Sequence, residues 1–367
     1  MSKVTVLSEG VMTPLGIGVQ ENLQAVLEGR SALQLHEGTF GTAEPFYASL
    51  FGDRTPLPGY SFFETIAIRA AQQAIAAAGI DPASDRVRFV LSTIKGNVDR
   101  LADGEEETVP LCVPAGKIAA FFGNRQPALV VSNACISGLA ALLQGRRMLQ
   151  QGGCDHVVVI GTECQSRFIV SGFQSLKALS PQACKPFDAQ REGLNLGEAA
   201  AALVLGLDQP GWELVDGAIR NDANHISGPS RTGEGSYQAL RYVLEGVRPE
   251  ELAFVNVHGT ATLYNDEMES IALSRAGLSD VPVNALKGTF GHTMGAAGVL
   301  ETILSMHAAD AGLVLPTRGF SKLGVSCPVR VSPEPGKTAG RAFIKLLSGF
   351  GGVNGALLLR HETGGSL

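Results

Sequence analysis

Long apolar runs, clusters of basic residues and signal-type segments are all missing from this sequence, and each absence excludes a class of protein. No apolar stretch reaches the roughly 18 residues that a membrane span needs. The net charge is −6 and no block of Lys and Arg is present, so nucleic acid is not an expected partner. The N-terminus shows no signal-type segment, and we expect a soluble cytoplasmic protein without membrane contact.

Paired cysteines and aromatic residues are also scarce. The six cysteines, at positions 112, 135, 154, 164, 184 and 327, form no Cys-x-x-Cys pair. We therefore expect reduced thiols and no zinc cluster or other metal site. Aromatic residues make up only 6% of the chain, whereas glycine occurs 45 times. A core of closely packed Ala, Val, Leu and Ile is the consequence.

Strand-like and helix-like segments alternate along the chain, which predicts the α/β class. The pattern starts again after residue 208: the segment around Cys135 and the segment around His292 both run from a strand through a polar loop into an Ala/Gly/Leu helix. We predict two similar halves, 1–208 and 209–367, packed as one body. The least regular segments, 31–61 and 97–112, are expected to be surface or dimer-facing loops.

Cys135 lies in "VVSNACISGLAALLQG", between a β-branched strand and a helix. A buried thiol that fills a gap is one interpretation, and a nucleophile at a helix N-terminus is the other. The helix terminus stabilises a nearby anion by at most about 2 kcal/mol. That corresponds to roughly 1.5 pKa units, which would bring a cysteine from about 8.5 to near 7. A nucleophile here therefore needs a polar partner.

Two of the seven histidines offer such a partner. His258 follows a β-rich run in "FVNVHGTATLYNDEMES", and His292 follows another in "NALKGTFGHTMGAAG". Ligand crevices in α/β folds form beyond the carboxyl ends of strands. We expect both imidazoles to lie in such a crevice.

Five ordered blocks carry a resemblance to a known family: "NACISG", "KPFDAQREGLNLGEAAAALVL", "HGTATLYND", "LKGTFGHTMGAAG" and "LSGFGGVNG". Together they resemble the elongating β-ketoacyl-ACP synthases. The resemblance implies the thiolase fold, with two α/β halves in a five-layer αβαβα arrangement. It also implies acyl carrier protein as the partner, which brings the phosphopantetheine, so that the chain needs no cofactor of its own.

The resemblance assigns the catalytic roles. Cys135 would accept the acyl chain as a thioester. His258 and His292 would donate from neutral Nε2–H groups to the carbonyl of malonyl-ACP while CO₂ leaves. The backbone N–H groups of Cys135 and Phe350 would hold the oxyanion of the condensation, and the Phe350 side chain would gate the acyl pocket.

Supporting residues follow from the same resemblance. Lys287 would orient its loop through Asp266, and Glu269 would face the same side of the helix as Asp266. These two carboxylates, together with Thr260 and Thr262, form the predicted substrate-binding set. The threonines would hydrogen-bond the pantetheine arm.

The chain departs from the family in places. It is shorter ahead of the cysteine, its block has Cys-Ile-Ser-Gly instead of Cys-Ala-Thr-Gly, and "STIKGNV" at 92–98 is similar to synthases of bacterial polyene-pigment pathways. Homodimer and heterodimer both stay open, as does an inactive or chain-length-factor-like partner subunit. Arg69 and Lys117 are the predicted docking residues for the acidic carrier protein.

Overall fold

The computed structural model describes residues 2–361 and shows the expected alternation of strands and helices. Its strands are β1 Val4–Thr13, β2 Gly16–Ile17, β3 Leu33–His36, β4 Phe46–Ser49, β5 Val87–Ser92, β6 Leu129–Val131, β7 His156–Glu163, β8 Leu196–Gly197, β9 Ala199–Leu207, β10 Trp212–Asn221, β11 Leu252–Asn256, β12 Pro282–Asn284, β13 Leu313–Val314, β14 Arg330–Val331, β15 Gly336–Lys337, β16 Ala342–Gly349 and β17 Val353–His361. Its α-helices are α1 Val19–Leu27, α2 Phe62–Ala78, α3 Cys112–Phe121, α4 Ser137–Gln150, α5 Arg167–Ser175, α6 Glu234–Val243, α7 Leu263–Arg275, α8 Lys287–Phe290 and α9 Ala297–Asp310. Short 3₁₀ turns lie at Thr39–Gly41, Val98–Asp103, Glu106–Thr108, Pro249–Glu251 and Met294–Ala296.

The large sheet consists of two parts with the same topology. The first has the order β6-β5-β7-β9-β1, and the second has the order β12-β11-β16-β17-β10 with β14 at its edge. In each part the strand nearest the junction and its neighbour pair antiparallel, and the outer strands pair parallel. The two parts join where β1 and β10 pair at Thr5 and Glu213. This repetition confirms the predicted fold class, whereas the division into units at residue 208, in the loop between β9 and β10, stays a prediction.

Three apolar clusters separate the layers. One lies between α2, α3 and the first half of the sheet, and another lies between α6, α7 and the second half. The third surrounds α4 and α9 and contains residues from both halves. Alternate residues of β9 belong to different clusters: Leu203 faces the central helices and Val204 faces α2. Burial on both faces explains the unbroken apolar run of this strand.

The two central helices cross at glycines. A Cβ atom added to Gly298 in α9 would lie 2.3 Å from the backbone nitrogen of Leu139 in α4. A Cβ atom on Gly138 would lie 2.8 Å from the Cα of Gly298. Only glycine permits this approach, which brings the N-termini of the two helices together.

The expectation of a loop over 31–61 is wrong in part. This segment contains β3 and β4, which form a three-stranded sheet with β8. Phe46 and Ala48 of β4 are buried in a further apolar cluster. The segment 97–112 is irregular, as predicted, and carries two 3₁₀ turns before α3. Among the helices formed by residues 2–361, none combines the length and apolarity required to cross a membrane.

Candidate active site

Cys135, His258 and His292 meet in the interior of the protein. One nitrogen of each imidazole and the Cys135 sulfur lie within 4.8 Å of one another. The two imidazole rings are 5.1 Å apart between centroids and are inclined by 82°. The structure therefore brings together the three residues that the sequence singles out.

A tight turn presents Cys135 ahead of α4. Ala134 adopts a left-handed conformation with φ of 46°. The Ser137 hydroxyl accepts the Asn133 backbone N–H at 2.7 Å and donates to the Ala134 carbonyl at 2.6 Å. Gly349 packs against this turn, since a Cβ atom on it would come within 3.0 Å of the Cys135 nitrogen. The turn thus fixes the thiol against the end of β16.

The prediction that the helix N-terminus brings the thiol pKa near 7 is wrong for the free protein. Burial raises the pKa of Cys135 to about 11, although the charge of Lys287 and the N–H groups of Phe350 and Cys135 itself lower it. The desolvation cost of a buried thiolate exceeds the stabilisation that the lysine charge and the N–H groups provide. The same two N–H groups that point at the sulfur are the pair expected to form the oxyanion hole.

The loop after β11 is held by two carboxylates of α7. Glu269 accepts the backbone N–H groups of His258 and Gly259, each at 2.7 Å. Asp266 accepts the N–H of Ala261 at 3.2 Å. Ala261 has φ of 62°, so the chain reverses sharply between the histidine and the helix. The spacing in "HGTATLYNDEMES" therefore lets the two carboxylates hydrogen-bond the loop and fix His258. Both carboxylates face one side of α7, as expected.

The prediction that Asp266 and Glu269 bind substrate is not supported. Both are fully buried and neither lines the cavity that contains the histidines. Burial raises the pKa of Asp266 to about 6, and burial together with Asp266 raises that of Glu269 to about 7. Their partners are backbone N–H groups and the Asn265 side chain, so they position the loop that bears His258.

His292 is held in one tautomer. Its Nδ1 accepts the backbone N–H of Met294 at 3.3 Å, which leaves the proton of the neutral ring on Nε2. That Nε2 is buried and has no partner within residues 2–361. Burial, with Lys287 and Lys345 contributing, holds the pKa of both imidazoles well below the usual range, and for His258 the charge of His292 contributes too. The site therefore offers an unpaired N–H donor.

Lys287 does not act through Asp266, contrary to expectation. Its ammonium group donates to Glu301 of α9 at 3.0 Å. Asp266 instead accepts backbone N–H groups of Phe187 and Ala261. The partner was missed because Glu301 lies in an apolar helical segment, "AGVLETILSM", away from the polar loops.

A cavity of about 730 Å³ connects the catalytic group to the surface. Cys135 and the two histidines line its buried part, and the half-buried Phe350 lies beside them in the lining. Thr260 and Thr262 also line it, and their hydroxyl oxygens are 2.9 Å apart. The exposed part is lined by Leu176, Lys177, Glu192, Asn224, His225, Arg231, Leu263 and Tyr264. The cavity therefore connects the buried thiol and imidazoles with exposed polar and apolar side chains.

Phe350 lies between two glycines and lines the same cavity as the thiol. Its ring stacks on Phe173 with 5.8 Å between centroids. Gly351 has φ of 87°, a conformation that disfavours other residues. The gating role of Phe350 stays a prediction, and Phe173 is a contact that sequence analysis missed.

The predicted docking residues do not belong to the cavity of this chain, and their role toward the carrier protein stays a prediction. Neither Arg69 nor Lys117 lines the cavity. Lys117 donates to the fully buried carboxylate of Glu64 at 2.8 Å and lies 5.3 Å from the Tyr60 ring centre. It serves as the partner of a buried acid, whereas Lys177 and Arg231 are the cationic side chains in the cavity lining.

Ionisable residues inside apolar runs are the signal that sequence analysis overlooked. Glu163 ends the run "HVVVIGTE" and accepts the Thr93 hydroxyl and the N–H groups of Ile94, Lys95 and Gly295 at 2.8–3.1 Å. Burial raises its pKa to about 7 against these hydrogen bonds. It joins the two halves of the chain directly beside the site.

Comparisons with known proteins agree with this geometry. The ketosynthase ApeO in complex with its chain length factor ApeC, from Xenorhabdus doucetiae, has a TM-score of 0.91 and 24% identity over 98% of each chain. The ishigamide ketosynthase/chain length factor has a TM-score of 0.87 and 26% identity over 99% of this chain and 100% of that one. These similarities confirm the thiolase fold of the condensing enzymes.

The sequence comparisons identify the protein family. Residues 36–209 match the family Beta-ketoacyl synthase, N-terminal domain, and residues 212–321 match Beta-ketoacyl synthase, C-terminal domain. The 3-oxoacyl-(acyl-carrier-protein) synthase 2 of Rhizobium meliloti is 28% identical to this chain. The alignment of 426 positions, gaps included, covers 99% of this chain and 100% of that protein. The chain belongs to the β-ketoacyl synthase family, and the predicted acyltransferase class is confirmed.

Proposed function

We propose that the protein is a 3-oxoacyl-ACP synthase that condenses an acyl group held on Cys135 with malonyl-ACP, in fatty acid or polyketide biosynthesis. The observation that carries the proposal is the grouping of one thiol and two neutral imidazoles within 4.8 Å of one another at the buried part of a cavity. A cysteine hydrolase would need one histidine, whereas a decarboxylative condensation uses two donors on one carbonyl. No observation favours the alternative of an inactive or chain-length-factor-like subunit.

Acyl transfer comes first. The Cys135 sulfur attacks the thioester carbonyl of acyl-ACP, and the carbon–sulfur bond to the pantetheine breaks. The thiol proton ends on the departing pantetheine sulfur. Because the pKa of Cys135 is raised to about 11, a base must take this proton as the bond forms. The departing pantetheine sulfur is that base, because both imidazoles have a pKa well below the usual range and His292 Nδ1 already accepts the N–H of Met294.

Decarboxylation of malonyl-ACP follows in the same site. The carbon–carbon bond of malonyl-ACP breaks, CO₂ leaves, and the electron pair moves into the thioester as an enolate. Donors at His258 and His292 stabilise the enolate oxygen, and Thr260 and Thr262 hold the pantetheine arm. A donor of this kind contributes about 3–4 kcal/mol.

Condensation completes the cycle. The enolate carbon attacks the carbonyl of acyl-Cys135, and the N–H groups of Cys135 and Phe350 stabilise the oxyanion. The bond to the Cys135 sulfur then breaks, the thiolate takes up one proton, and 3-oxoacyl-ACP leaves. Loss of CO₂ makes the sequence irreversible.

The partners are part of the proposal. Acyl carrier protein supplies both substrates, and the phosphopantetheine is its own, so no resident cofactor is invoked. A dimer is expected, with a second copy or with a related ketosynthase-like subunit. The structures of relatives in complex with a chain length factor support the second form.

The change Cys135→Ala tests the division of roles. This variant should lose condensation completely but still decarboxylate malonyl-ACP, because both histidines remain. Acyl-enzyme is measured by intact mass and CO₂ release by radiolabel, with the exposed Cys112→Ala as the matched control that keeps both activities. Loss of both activities in a folded Cys135→Ala variant would contradict the proposal.

A further inference from the structure

A row of buried polar side chains crosses three neighbouring strands beneath the two histidines. In the sheet register Asn256 of β11 pairs with Asn284 of β12 on one side and with Lys345 of β16 on the other. Asn256 donates through Nδ2 to Asn284 Oδ1 at 2.5 Å and accepts from Lys345 Nζ at 2.6 Å. All three side chains are fully buried. A lysine buried in such an apolar strand has a high desolvation cost, which a role at this place would explain.

The row continues directly into the active site. Asn256 lies two residues before His258, and the ammonium group of Lys345 also reaches the carbonyl oxygen of Val257 at 3.4 Å. The same ammonium group donates to Glu301, whose other oxygen accepts from Lys287. Lys345 therefore links the end of β11 to the ion pair on α9.

The cluster carries one positive charge in excess. Glu301 holds a single negative charge between two ammonium groups, and these overcome burial to keep its pKa low. Burial lowers the pKa of Lys345 to about 8, with Glu301 opposing, so this lysine is still charged at neutral pH. Without Lys345 the buried pair of Lys287 and Glu301 would be neutral.

We propose that Lys345 is a positioning residue of the active site, which fixes the strand end that bears His258 and supplies the excess positive charge facing both imidazoles. That charge adds to burial in keeping the imidazoles neutral, and it favours the enolate oxygen that forms beside them. The proposal rests on the proposed two-histidine chemistry. Lys287 and Lys345 are the cations that act on both rings, while Cys135 faces them and Glu269 holds the backbone of His258.

Three substitutions separate charge from packing. Lys345→Met keeps the length of the side chain, Lys345→Gln keeps a hydrogen-bonding group, and Lys345→Arg keeps the charge. We expect the Met and Gln variants to lower kcat for malonyl-ACP decarboxylation about tenfold, or about 1.4 kcal/mol, with KM unchanged. NMR titration of labelled histidines should show a raised pKa for both rings. The Arg variant should recover most of kcat, and the exposed Lys337→Met is the matched control without effect.

Each outcome decides the proposal. Wild-type kcat in Lys345→Gln, or histidine pKa values that do not move, would overturn it. If Lys345→Met fails to fold, Lys345→Gln supplies the same readouts. If the wild-type protein does not decarboxylate malonyl-ACP, the proposed function fails, and the histidine titration still shows whether the charge of Lys345 acts on the rings.

Discussion

Replacing Gly298 with alanine is expected to separate the two central helices and to displace Cys135 from His292. The added Cβ would lie 2.3 Å from the Leu139 nitrogen, whereas ordinary contacts of this kind are 3.4–4 Å. Because the contacted atom belongs to the backbone of α4, no side chain can turn away to relieve it. The crossing must therefore open by about 1 Å.

The magnitude follows from that distance. Overpacking of a core typically costs about 1–3 kcal/mol of unfolding free energy. A displacement of about 1 Å between reacting groups can lower a rate about 100-fold. Since Cys135 precedes α4 and His292 precedes α9, opening the crossing affects their separation directly. We expect Gly298→Ala to melt several degrees lower and to form acyl-enzyme about 100-fold more slowly.

The assay combines thermal unfolding with intact-mass measurement of acyl transfer from a short acyl-pantetheine thioester. Gly116→Ala is the matched control, because Gly116 lies in α3 with no atom within 4 Å of an added Cβ. That variant should gain about 0.5–1 kcal/mol from helix propensity and keep its activity. Wild-type stability and acylation rate in Gly298→Ala would refute the role given to the helix crossing.

Two further predictions concern the catalytic group. His258→Ala and His292→Ala should each still acylate Cys135 but lose malonyl-ACP decarboxylation by about 100- to 1000-fold; a variant that elongates at the wild-type rate would show that its histidine is structural. Alkylation of Cys135 by iodoacetamide should accelerate roughly tenfold per pH unit from pH 7 to 10, because its pKa of about 11 keeps the thiolate scarce. A plateau near pH 8 in peptide mass mapping would contradict the raised pKa.

Sequence patterns predicted the parts of the molecule that depend on local order. Apolar periodicity located the large-sheet strands and the repeat, and strand-end loops identified Cys135, His258 and His292. Both features are encoded within short segments. The prediction of a loop over 31–61 was wrong because β3 and β4 form a sheet with β8, which lies about 150 residues later in the chain.

The ion pairs and pKa values of the site could not be predicted from the sequence, because they depend on groups that are distant along the chain. The partner of Lys287 is Glu301, 14 positions away on a different helix, and the second lysine of the cluster comes from β16. The thiol pKa was misjudged because local reasoning counts the helix terminus but not the depth of burial. Charged residues inside apolar runs, such as Lys345 and Glu163, indicate buried charge. They were the available signal for both the partner of Lys287 and the pKa of Cys135.

The matched topology of the two halves bears on how this site was assembled. Cys135 and His292 occupy equivalent places, each between the corresponding strand of its half, β6 or β12, and a central helix. Two identical halves, as a duplicated gene would encode, would present the same side chain twice. Chemistry that needs an acyl acceptor and a proton donor in contact therefore demands that the copies diverge at this one place. Fusion into a single chain guarantees that every molecule contains one of each.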